Sequence, residues 1–263
     1  MQVMAIDQND TMHRPRPRFR VHCDGELDPR WQELARLFDS AWDIKSPVKR
    51  KTSRKVVIRH EMDGCAFYVK IYSRRYADQI GHNLLRSSSL SLFPSKALKH
   101  LRRALMIEGL GIGIVRPLMV IERRYGLMRQ ESMLVTPECR LPTLARCFED
   151  EERWERYLPA LENMIRDISA MHDGGCVQWD PHFGNVLVDE SLDVFWMDFG
   201  TIKLTRSDEK KTYRDLCKIR RKSIKVLEGR VDDPGAVATE LLRRNYRDSR
   251  RLRAALESGP AGG

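Results

Sequence analysis

The sequence predicts an α+β protein, with strands in its first half and helices in its second. Three observations carry this. Val56 to Arg59 and Cys65 to Tyr72 flank Asp63-Gly64, a two-residue hairpin turn signal. In the second run Phe67, Val69 and Ile71 alternate with Tyr68, Lys70 and Tyr72, the period of a half-buried strand. Farther on, Leu161, Met164, Ile165, Ile168 and Met171 recur at helical spacing, which predicts a helix over 159–172 ended by Gly174 or Gly175.

The remaining elements follow in chain order. Residues 1–24 carry RPRPRFR and little apolar periodicity, so a disordered basic arm is expected. Trp31, Leu34, Leu37, Phe38 and Trp42 predict a short amphipathic helix over 28–42. Lys49 to Lys55, KRKTSRK, reads as a basic loop between two strands, with Thr52 and Ser53 able to meet phosphate. A Ser-rich irregular insertion is expected over 73–94. Ser95 is placed to cap a helix over 96–108 with Ala97, Leu98, Leu101, Ala104 and Leu105 buried. Gly109, Gly111 and Gly113 match part of a dinucleotide loop. They follow a helix, and Pro117 forbids the helix that must come next, so a helix end turning into a strand is the better reading. Strands are expected at 118–121 and 132–136. A basic helix is expected over 210–227, with Tyr213, Leu216, Cys217, Ile224 and Leu227 buried, then helices at 235–245 and 248–257.

Composition narrows the partners. The net charge of +10 in 263 residues points to an anionic one: nucleic acid, an acidic membrane surface or a phosphorylated glycolipid. The six cysteines form no C-x-x-C pair, which argues against a structural zinc site. No apolar run approaches the length of a membrane span, and the first twenty residues lack the apolar core of a signal peptide. A cytoplasmic protein with reduced thiols is expected.

The chemistry concentrates between Asp167 and Leu204. Asp180 and Asn185 stand five apart in a loop rich in Pro and Gly. Val186 to Val188 is a short apolar strand, Asp189 to Asp193 a turn, and Val194 to Met197 a second strand. Asp198 follows, ahead of Phe199 and Gly200. Each polar residue alone would be an ordinary turn former. Their order is more specific. Phosphoryl transfer needs Mg²⁺ held against nucleotide phosphates by hard oxygen ligands, and a base aimed at an acceptor hydroxyl. Asn185 and Asp198 are suitable metal ligands, and Asp180 is a suitable base.

This stretch resembles the catalytic and metal-binding loops of the protein-kinase-like fold. More narrowly, the chain resembles the bacterial lipopolysaccharide kinases, which phosphorylate Kdo or heptose sugars of the inner core. The resemblance covers about 45–227 and rests on FYVKIY at 67–72, FPSKALKHLRRAL at 93–105, GIGIVRPL at 111–118, ESMLVTPE at 131–138, the central stretch and YRDLCKIRRKSIKVL at 213–227. It implies a two-lobed fold: a small antiparallel β-rich N-lobe over 25–136 and a mainly helical C-lobe over 137–257, with a disordered tail over 258–263. It implies ATP and Mg²⁺, with Asp180 as catalytic base, Asn185 and Asp198 on the metal and Lys70 on the α- and β-phosphates. Thr136 to Cys139 would edge the adenine. The acceptor would be an anionic glycolipid at the cytoplasmic face of the inner membrane.

The chain departs from the family in places. Gln178-Trp179 stands where His-Gly is usual, and His100 stands where the family often has Glu. Glu108 then becomes a possible carboxylate partner for Lys70. The loop from Thr201 to Asp208 leaves no room for a long activation segment, which disfavours a peptide substrate. Three other readings stay open on the residues: a pseudokinase-type binding module, a kinase for another small molecule or for protein Ser/Thr, and, ranked last, a nucleic-acid-binding protein.

Overall fold

The computed structural model describes residues 2–7, 18–23, 29–40, 48–52, 55–73, 94–125, 129–178, 181–204, 209–248, 250, 252–253 and 256. The chain divides into two compact units. One comprises 1–105 with 115–139, the other 106–114 with 140–263.

The first unit is built on one antiparallel sheet. Its elements are β1 (Gln2–Asp7), β2 (Arg18–Cys23), α1 (Trp31–Ser40), β3 (Val48–Thr52), β4 (Lys55–Met62), β5 (Cys65–Tyr72), most of α2 (Lys96–Glu108), β6 (Met119–Tyr125) and β7 (Arg129–Pro137). The sheet order is β1-β2-β6-β7-β5-β4-β3. Period-two alternation gives it two apolar faces. On one, Phe19, Val21, Val69, Ile71, Ile121 and Met133 pack with Trp31, Leu34, Ala35 and Phe38 of α1. On the other, Val120 and Leu134 pack with Ala97, Leu98 and Leu101 of α2. The β4–β5 turn follows the sequence closely. Met62 pairs with Cys65, and Asp63 and Gly64 both take positive φ, 52° and 71°, the signature of a type I′ turn.

Two expectations fail here. Residues 2–7 and 18–23 are strands rather than part of an unstructured arm. In β2 the arginines take the exposed positions, while Phe19 and Val21 enter the core and His22 finds a buried partner. The basic stretch from Lys49 is not all loop either. Val48–Thr52 pairs with β4 as the sheet's last strand, and only 53–54 separate the two. Ser53, Trp42 and nearly all of the expected 73–94 insertion lie outside the described residues.

Buried ion pairs fasten the layers of this unit. Glu131 accepts from Arg123 Nε at 2.8 Å and from Ser73 Oγ, and Arg123 Nη1 reaches Asp39 on α1 at 2.9 Å. Glu122 sits between His22 at 3.2 Å and Arg124 at 2.7 Å. Burial alone would raise its pKa. Hydrogen bonds from His22 and Ser95, with the Arg124 charge, outweigh burial and hold the carboxyl at about 2. Ser95 also accepts from Leu98 N at 3.1 Å, so the expected cap of α2 is present and is tied to a buried carboxylate.

The second unit is mainly helical. It contains α3 (Leu144–Cys147), α4 (Leu158–Asp173), β8 (Cys176–Val177), β9 (Val186–Val188), β10 (Val194–Trp196), β11 (Lys203–Leu204), α5 (Glu209–Leu227) and α6 (Pro234–Asn245). In α4 the five expected core residues are all buried. In α5 the buried side is not the expected one. Leu216, Ile219 and Leu227 are buried with Thr212, Asp215 and Ser223, whereas Tyr213, Cys217 and Ile224 are only half-buried. Asp215 faces a buried histidine instead of solvent: His172 Nε2 lies 3.4 Å from its carboxylate, and His172 Nδ1 lies 2.9 Å from the Tyr246 hydroxyl. Of the helix expected at 248–257, residues 248, 250, 252, 253 and 256 are described; all but Asp248 are helical.

The glycines at 111 and 113 act as turn and close-packing residues. Gly111 takes φ 79° at the end of α2. Gly113 lies under β10: its carbonyl accepts from Trp196 N at 2.9 Å, and a Cβ on it would stand 2.6 Å from Val194 O. Gly111→Ala is therefore expected to cost about 1–2 kcal/mol through backbone strain alone. Gly113→Ala should cost about 1–3 kcal/mol by pushing β10 away. Urea unfolding of the two variants checks both values.

Candidate active site

Two of the four expected site residues come together on the β9–β10 hairpin. Trp196 pairs with Val186 at its open end. Asn185 precedes Val186, and Met197 N donates to Asn185 O at 2.9 Å. Asp198 is the next residue, so the amide and the carboxylate leave the same end of one ladder. Asp198 adopts φ 60° and ψ 69°, the left-handed region that non-glycine residues occupy at a cost of about 1–3 kcal/mol. Phe199–Thr201 then forms a single turn behind it.

The loop entering the hairpin is fixed residue by residue. Phe183 is buried and packs on Phe148, ring centroids 6.3 Å apart. His182 Nδ1 accepts from Gly184 N at 2.9 Å, and Asn185 N donates to His182 O at 2.8 Å. Lys222 on α5 donates from Nζ to Pro181 O at 2.7 Å. Asp180 and Trp179 lie outside the described residues, but the peptide carbonyl immediately after Asp180 is thus held by α5.

Strands of three residues are too short to hold a hairpin unaided. This one is clamped from several sides. Besides the Gly113 bond, Val188 N donates to Pro142 O at 3.0 Å. Asn163 on α4 donates to Leu192 O at 3.0 Å, fixing a turn in which Leu192 takes φ 69°. Trp196 Nε1 donates to Asp167 on α4 at 2.8 Å. Asp167 was not singled out by sequence, because a lone helix Asp beside an apolar stripe reads as a surface residue. Asn163, Lys222 and Gly113 were likewise legible only as helix or turn residues.

Lys70 belongs to the first unit. It lies in the middle of β5, paired across the sheet with Val57 and Leu134. Strand alternation places it on the face that α2 covers, beside Tyr72. Tyr72 packs against His100 of α2 at a tilt of 53°, ring centroids 5.6 Å apart, with the hydroxyl 3.4 Å from Nε2. Glu108 is the only carboxylate in the α2 sequence, at its last residue. After β7, Arg59 grips Glu138 with two bonds of 2.8 Å, and Glu138 N donates to Ala66 O at 2.8 Å, which anchors the 136–139 segment to β4 and β5.

The donor chemistry suits Mg²⁺. Asn185 and Asp198 offer hard oxygens, and Mg²⁺ needs only one or two protein ligands when phosphates and water supply the rest. Among the described residues no cluster of three or more His, Cys, Asp or Glu side chains assembles, so the thiolate and imidazole sets of zinc are not found there.

Comparison with known proteins agrees with this layout. The profile of the ABC1 atypical kinase-like domain matches residues 162–223, the segment holding α4, the loop, the hairpin and most of α5. A solved structure of WaaP in complex with acyl carrier protein superposes with a TM-score of 0.60 at 19% identity, covering 89% of this chain and 97% of that one. No curated protein matches the sequence. The fold is protein-kinase-like.

The Asp167 carboxyl has a titration of its own. Burial pushes it up to about 6, against the pull of the Trp196 N–H and the Arg166 charge. A carboxyl raised on folding contributes stability that is complete below its ordinary pKa and is lost as pH rises through about 6. Asp167→Asn keeps an acceptor for Trp196 and removes that loss. The variant should match wild type near pH 4 and exceed it by up to about 3 kcal/mol above about pH 7, read as a difference in thermal midpoints along a pH series.

Proposed function

We propose that the protein transfers the γ-phosphoryl group of ATP to a hydroxyl of a lipopolysaccharide inner-core sugar, Kdo or heptose. The observation that carries the reaction type is the joint placement of Asn185 and Asp198 at one end of a clamped hairpin, with Asp180 five residues ahead of Asn185. In this reading Asp180 accepts the proton of the attacking hydroxyl. Asn185 and Asp198 would hold Mg²⁺, and Lys70 would pair with the nucleotide phosphates. When bound, the metal would supply positive charge that offsets the charge on the phosphates. The rigid support of the hairpin serves this chemistry, since phosphoryl transfer depends on positioning more than on covalent participation.

The acceptor is argued from three features. The span of 205–208 between β11 and α5 is short, which leaves no peptide platform. The net charge of +10 suits an acidic glycolipid. The sequence resembles lipopolysaccharide kinases along most of its length. One observation favours a non-catalytic binding module instead: His100 engages Tyr72 in the middle of α2, where a lysine-pairing carboxylate would stand.

Transfer from labelled ATP to purified Kdo–lipid A and to heptosylated core separates these readings. Wild type should label one glycolipid, and Asp180→Asn should lower the rate by about 10²–10⁴-fold while keeping the thermal shift given by Mg-ATP. Asp198→Ala should lose that shift. A shift without labelling of either acceptor would redirect the substrate assignment, and neither shift nor label would favour the binding module.

A further inference from the structure

We infer that α5 is an electrostatic docking face for an anionic lipid bilayer. Lys210, Arg214, Lys218, Arg221 and Lys225 follow one another at steps of three or four residues along this helix. Residues at those steps share one face, here about 22 Å long. Lys210, Arg214, Arg221 and Lys225 are exposed, and Lys218 between them is half-buried. The two carboxylates within the helix are Glu209 at its first residue and Asp215. Asp215 is buried against His172 on the opposite side, so it does not dilute the stripe.

A cationic stripe alone would suit any polyanion. The border of this one narrows the choice. Tyr213, Cys217 and Ile224 form a second row beside the cations and are half-buried rather than enclosed. Apolar and aromatic side chains next to basic ones are the pattern of a helix lying in a membrane interface, where the cations meet anionic headgroups. Among the described residues no helix is long and apolar enough to cross a membrane, so attachment through these segments would be peripheral.

The location gives the docking a purpose. Lys222, on the flank of the same helix, donates to Pro181 O at 2.7 Å. The surface that meets the headgroups is therefore tied to the loop that follows Asp180. A glycolipid acceptor in that bilayer is offered to the loop without leaving the membrane. This assignment rests on the membrane glycolipid acceptor proposed above, and its test uses binding rather than transfer, so the two fail separately.

The test is co-sedimentation of the full chain with phosphatidylcholine vesicles, with and without about a third phosphatidylglycerol. Binding is expected only to the anionic vesicles and should be lost in about 0.5 M salt. Each neutralised cation should weaken it about five-fold. The variant Lys210→Gln/Arg214→Gln/Arg221→Gln/Lys225→Gln should then lose roughly a hundred-fold or more. The two half-variants, Lys210→Gln/Arg214→Gln and Arg221→Gln/Lys225→Gln, guard against misfolding of the quadruple one, and each should lose part of the affinity at an unchanged thermal midpoint. Arg18→Gln/Arg20→Gln on β2 should bind as wild type. Undiminished binding by the folded α5 variants would overturn the proposal. So would loss confined to the β2 variant, or binding of an RNA or DNA fragment through α5 with no binding to vesicles.

Discussion

The structure of the second unit turns on the support of one small hairpin. Six ladder residues place Asn185 and Asp198 at one end of the hairpin, and their own pairing is too weak to hold them. Backbone bonds from Gly113 and Pro142 and side chains of Asn163 and Asp167 supply the missing rigidity. Asp167 is the informative member. A half-buried carboxyl raised to about 6 stays charged at neutral pH only at a cost to stability, offset in part by the Trp196 N–H at 2.8 Å and the Arg166 charge. The strained backbone of Asp198 has the same character. Both are unfavourable locally and persist because the surrounding contacts over-determine them.

The first unit solves a different problem. Its sheet carries apolar residues on both faces and needs a helix on each. The helices are fixed by charged groups as well as by packing: Arg123 joins Asp39 of α1 to Glu131, and Glu122 joins Ser95, the cap of α2, to His22. Buried ion pairs of this kind add little net stability over apolar packing, but removing one partner strands the other. They therefore act on placement. The start of α2 is set by a carboxylate in β6, and the face α2 covers is the one on which Lys70 stands.

Charge is distributed by role. Acidic side chains with structural duties are buried with partners, as at Glu122, Glu131 and Asp215. Four cations of α5 are exposed, in one row, beside half-buried apolar residues. A positive overall balance concentrated on one helix is a directed feature, and the Lys222 bond connects that helix to the loop on which the proposed chemistry depends.

Local patterns in the sequence determined the elements whose causes are local. Alternation set β5, the 3.6-residue period set α4, the Asp63-Gly64 turn closed its hairpin as a type I′ turn, and Ser95 capped α2. That Asn185 and Asp198 flank two short paired strands was equally readable, because strand and turn chemistry operate within a few residues. Partners distant in the chain were decided only by the tertiary structure. Residues 18–23 read as a basic arm until β6 supplies a ladder and Glu122 a buried partner for His22. Asp215 reads as a surface residue until His172 faces it, which turns α5 and exposes part of the row expected in its core. Asp167 and Gly113 acquire their roles only when Trp196 and β10 lie against them. Periodicity reports which side of an element is apolar, but a buried polar group is stable only against a partner that folding brings to it.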